Sequence, residues 1–159
     1  MATDRAGGQQ WKRLRVGSSL GGMALRLPAP LRKPAEGQSH LHVERGLPLD
    51  GARLSGRLAG IVDANLRLAS ASQPLSADVA LGGSADVPPP RGIRVHGTAP
   101  SLDISGWLAR MLAAGTGSPG GGAGAAAVTV HVRTPQAVVS DQSLGALALD
   151  VVHADDAVT

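Results

Sequence analysis

Apolar and polar residues alternate with period two along most of the chain, interrupted by turn residues, which predicts short β-strands with one greasy and one wet face. His40-Leu41-His42-Val43-Glu44 sets Leu41 and Val43 against His40, His42 and Glu44. Between Ala52 and Ala59, Leu54, Gly56 and Leu58 oppose Arg53, Ser55 and Arg57. The device recurs at Ala24–Leu27, Ala64–Leu68, Leu75–Leu81, Ile93–His96, Val128–Arg133 and Leu147–Val151. Eight segments at this spacing predict a mainly β fold, an antiparallel, strongly curved meander whose aliphatic face forms a groove.

One stretch has helical spacing instead. Ile104, Trp107, Leu108, Met111 and Leu112 recur at i, i+3, i+4, i+7 and i+8 and predict a short amphipathic helix over 105–114. Asp103 or Ser105 would cap its start, and Gly115 would end it. These five apolar residues are expected to pack the helix against the sheet. Such a helix covers only part of an eight-strand face, so the sheet either curls over itself or leaves apolar surface for another purpose. The expected organisation is a basic N-terminal segment (1–20), a β-meander with the helix (21–114), a Gly/Ala-rich linker (115–127), further strands (128–153) and a tail (154–159).

Composition sharpens this picture. The 159 residues include 22 glycines and 11 prolines, two tryptophans as the only aromatics, and no cysteine. Without large rings a core must close on aliphatic side chains alone, which argues against a complete, independent domain. The lack of cysteine excludes disulfides, cysteine-ligated zinc and cysteine nucleophiles. Residues 1–33 carry seven basic residues against one acid, and the remainder eight against eleven. A solvated strand face accounts for the basic third better than phosphate binding, and no nucleic-acid motif or stacking platform accompanies it. Nucleic acid is therefore not an expected partner. No window is apolar enough to span a bilayer, and no apolar run follows the basic start.

Motifs that could carry chemistry lack their context. Gly115–Gly120 spells G-x-G-x-x-G, but a predicted helix precedes it and Pro119 interrupts it, where a dinucleotide site needs a strand before and a helix after. Gly17-Ser18-Ser19-Leu20-Gly21 fits a nucleophile elbow, yet Pro28 and Pro30 forbid the long helix that would present the serine. His40, His42 and Glu44 offer ligands on one strand face, a pattern that solvated polar residues explain without a metal. The acids sit singly at turns, so no carboxylate pair is available for acid/base work. The sequence predicts no enzyme, no metal and no cofactor.

Two stretches carry a resemblance. Gly21-Gly22-Met23-Ala24-Leu25-Arg26-Leu27-Pro28-Ala29-Pro30-Leu31-Arg32-Lys33-Pro34-Ala35 is followed by Gly92-Ile93-Arg94-Val95-His96-Gly97-Thr98-Ala99-Pro100-Ser101-Leu102-Asp103-Ile104-Ser105-Gly106-Trp107-Leu108. In order and spacing they resemble the YhdP branch of the AsmA-like proteins, large envelope proteins of Gram-negative bacteria, and Gln136–Val152 looks like that family's recurring strand pairs. The resemblance spans about residues 11–153. It implies a periplasmic piece of a longer chain, anchored to the inner membrane by a segment absent from this sequence, that moves phospholipid between inner and outer membranes. Its partners would be phospholipid acyl chains and the remainder of that chain. The residues expected to line the groove are Leu54, Leu58, Leu66, Leu68, Val79, Ile93, Val95, Val128, Val130 and Val132. The rival expectation is a structural or interaction domain whose apolar face is closed by the rest of the chain or by a partner.

Overall fold

The computed structural model describes residues 12–47, 53–115 and 127–153. Residues 1–11, 48–52, 116–126 and 154–159, which include most of the predicted linker and all of the predicted tail, lie outside the described residues. The chain runs β1 (Lys12–Ser18), β2 (Leu41–Leu47), β3 (Arg53–Leu58), β4 (Val62–Arg67), β5 (Ser76–Leu81), β6 (Gly92–Thr98), β7 (Leu102–Asp103), α1 (Ile104–Gly115), β8 (Val128–Val139) and β9 (Gln142–His153). All nine strands join one open sheet in the order β1-β2-β3-β4-β5-β6-β8, with the two-residue β7 also on β8 and β9 on the far side of β8. The fold is mainly β with one short helix, as the alternation predicts.

The expected all-antiparallel meander needs one correction. β5 runs parallel to β6, and β8 runs parallel to both β6 and β7; the other pairs are antiparallel. Hairpin turns reverse a strand, whereas a parallel neighbour needs a crossover. Residues 82–91, with Pro88-Pro89-Pro90, supply one between β5 and β6. The segment containing β7 and α1 supplies the other between β6 and β8. Two glycines make this parallel block possible. A Cβ at Gly97 (φ +113°) would overlap the Leu81 carbonyl, and one at Gly92 (φ +82°) would overlap that of Ala127.

The predicted segments map unevenly. Seven of the eight became strands, but Ala24–Leu27 contributes only an isolated bridge between Leu25 and Lys33. Conversely, the basic segment contains β1, an edge strand exposed along its whole length. The final hairpin is longer than the alternation marked. Pro135 falls where the β8–β9 register slips between Thr134 and Ala137, a bulge being one of the few places a sheet tolerates proline.

α1 begins one residue earlier than predicted. Asp103 is its cap: its Oδ1 accepts the Gly106 N–H (2.8 Å) and the Ser105 hydroxyl (3.2 Å). Ser105 Oγ also accepts the Ser140 N–H at the β8–β9 turn (2.9 Å), and Trp107 Nε1–H donates to the Ala29 carbonyl (2.8 Å). The buried core is small: Leu81, Ala99, Leu102 and Val132, with Val62, Val95, Ile104, Trp107, Val130 and Leu149 packed around them. Ile104 and Trp107 pack against this core. Leu108 does not, being 52% exposed, because the helix meets the sheet through its first turn. The side chains of Met111 and Leu112 lie outside the described residues.

Candidate apolar furrow

Strand register decides which side chains share a face, because residues paired across strands project from the same side. Following the pairs from β1 to β9 yields a row of Val16, Val43, Gly56, Ala64, Val79, Val95, Val130 and Val151. One pleat toward α1, Leu41, Leu58, Val62, Leu81, Gly97, Val132 and Leu149 form a second row. One pleat the other way, Leu14, Leu54, Leu66, Ala77, Ile93 and Val128 belong to the third. Nine of the ten residues expected to line a groove thus lie on one face. Leu68 follows the end of β4 and has no place in this register.

The middle row crosses eight strands, a length of about 34 Å at ~4.8 Å per strand. The covering is partial. Leu102, Ile104 and Trp107 close the α1 end around Leu81 and Val132, leaving Val132 buried. Leu54, Leu58, Leu66, Val79, Ile93 and Val128 are half-buried and lie outside that core. Toward the β1 edge Leu14 and Val16 are 52% and 49% exposed. A Cβ placed on Gly56 would meet nothing within 4 Å, so the middle row has open space there. The result is a shallow aliphatic furrow roofed at one end.

The opposite face is polar and paired. Glu44 binds Arg13 and Arg15, Asp63 binds Arg57, and Asp150 meets His131. The densest cluster surrounds Asp78, which is fully buried and receives hydrogen bonds from Arg94 Nε, the Asp86 N–H (2.6 Å) and His96 Nε2 (3.1 Å). Burial alone would raise its pKa. The hydrogen bonds from Arg94, His96 and Asp86, with the Arg94 charge, outweigh burial and hold the carboxyl below its usual range. Asp78, Asp86 and His96 form the one group of three metal-ligating residue types among the described residues, but the Arg94 guanidinium already supplies the cation between the two carboxylates. His40 and His42 belong to no such group. The elbow-like Ser18 ends β1, and its Oγ accepts the Leu20 N–H in a turn with no helix after it.

The proline-rich loop that carried the resemblance is organised by a residue not singled out from sequence. Lys33 is 7% exposed, and its Nζ donates to the carbonyls of Leu20 (2.8 Å), Met23 (2.7 Å) and Pro34 (3.1 Å). Three ammonium protons meet three acceptors, so the loop closes on its own lysine. The only sequence signal was the lysine wedged between prolines.

Sheet, roof and furrow together define, among the described residues, a single-layer β-protein with one aliphatic face only partly covered. The chain belongs to the YhdP protein family, whose model matches residues 2–158. No curated protein and no solved structure matches it. No helix among the described residues is long and apolar enough to cross a membrane.

Proposed function

We propose that this chain is a non-enzymatic component of the Gram-negative envelope whose furrow carries phospholipid acyl chains through the periplasm between the inner and outer membranes. The observation that carries the reading is the half-open aliphatic face, whose middle row crosses eight strands with no polar side chain, while the paired carboxylates of the described strands lie on the other face. Membership of the YhdP family supports it. Each methylene leaving water contributes about 0.8 kcal/mol, so two acyl chains supply ample affinity without any directional group. Gly56 and Ala64 in the middle row leave room for them.

The test is detergent-free purification from a Gram-negative host, followed by mass spectrometry of co-purifying lipid. Phospholipid is expected with the natural chain. Leu66→Asp, in the third row, should reduce it several-fold, whereas Arg133→Glu, exposed on the polar face, should leave it unchanged. Lipid absent from the natural chain, or equal in both variants, would sink the proposal. The fully exposed β1 edge favours a second reading, an interaction domain that pairs through that strand. It predicts lipid-free protein that self-associates through β1.

A further inference from the structure

Arg45 is out of place. It pairs with Leu54 on β3 and Leu14 on β1, so it projects from the aliphatic face, in the third row, at the end of the strands away from α1. Every strand arginine with an ion pair among the described residues lies on the other face: Arg13 and Arg15 with Glu44, Arg57 with Asp63, Arg94 with Asp78. The carboxylates of β2, β4, β5 and β9 all project from that other face too. Its Nε is buried and has no hydrogen-bond partner, and Arg45 forms no ion pair among the described residues. Burying a guanidinium N–H unpaired is costly, and a hydrocarbon ligand would not relieve that cost. Lys12, exposed one pleat farther out on the same face and at the same end, adds a second cation.

We propose that Arg45 binds the phosphodiester of a lipid headgroup at the open end of the furrow. The proposal rests on the acyl-chain reading above and adds where the headgroup sits. A guanidinium offers paired donors in a plane that matches two phosphate oxygens. Phosphodiester suits this place better than the carboxylate of a free fatty acid. Against an apolar wall a carboxylate can take up a proton and shed the charge that pairs it, whereas a phosphodiester stays anionic. The tails then lie over the aliphatic rows while the headgroup remains at the rim, beside water and Lys12.

The experiment offers the full chain vesicles containing equal dioleoylphosphatidylglycerol and dioleoylglycerol, which share tails and differ in the phosphate, then separates protein from vesicles and quantifies retained lipid. The natural chain should retain the phospholipid over the diacylglycerol by about tenfold, the worth of a charged hydrogen-bonded pair. Arg45→Met, similar in length and apolar, should bring that ratio near one while diacylglycerol retention persists. Arg45→Lys should restore part of the preference. An unchanged ratio in Arg45→Met overturns the assignment, as does oleate displacing the phospholipid at equal concentration. If the natural chain retains neither lipid, the furrow reading itself fails. Matching thermal unfolding of the Met variant and the natural chain keeps a folding defect from imitating lost recognition.

Discussion

Lys33 forms no ion pair among the described residues, yet it is buried. Its charge is tolerated because three carbonyls take the place of water around the ammonium. Truncation would strand those acceptors in the loop. Lys33→Ala is expected to cost about 2–4 kcal/mol in urea unfolding. Lys33→Arg should recover little, since a planar fork cannot direct its donors at three surrounding oxygens. Arg45 is the complementary case, a cation whose Nε finds no partner among the described residues. Its position was nearly readable. The alternation traced over His40–Glu44 stops one residue short of it, and extending the period two further step puts Arg45 with Leu41 and Val43. Lys33 had no such signal, because a loop residue's burial depends on how the loop folds back, which periodicity does not encode.

Among the elements, strands and their faces were legible, while their directions were not. Alternation reports which side of a strand is buried and is silent on whether its neighbour runs parallel. The glycines that permit the parallel block look in sequence like ordinary strand ends. Gly97 shows the cost of ignoring them. It combines a left-handed φ with a close approach to the Leu81 backbone. Gly97→Ala should therefore destabilise the protein by about 2–4 kcal/mol, read as a fall in thermal midpoint. Gly56→Ala, with open space around its Cβ, should shift it by less than about 1 kcal/mol. The helix was found from its spacing. Its apolar stripe continues to Leu108, whereas contact with the sheet is made by the first turn. Ala24–Leu27 alternates like a strand and is held by the Lys33 loop instead.

For the whole molecule, the polar face is what keeps one layer of sheet together. Asp78 ties β5 to β6 through Arg94 and His96, and to the crossover between them through the Asp86 N–H. Its carboxyl titrates lower in the folded protein than in the unfolded chain, so this contribution is complete above the ordinary value near 3.8 and fades as pH falls through the lower folded value. Chemical-denaturation midpoints measured from pH 6 down to 2.5 should drop steeply below about pH 4. Asp78→Asn should be less stable at pH 6 and show a flatter acid limb; an unchanged limb would place the acid sensitivity in other carboxylates. The furrow face needs no such network. Its rows are mainly aliphatic, Arg45 being an exception, and alternation made them visible in sequence, as helical spacing did the helix that roofs one end of them.

Because the aliphatic rows run across the strands instead of along them, the sheet behaves like track laid on sleepers. Each added strand extends the path by one ~4.8 Å step and leaves the gauge unaltered. A conduit built this way can be matched to any distance by the number of hairpins, and the bare backbone edge of β1 is the kind of end onto which another length of track couples.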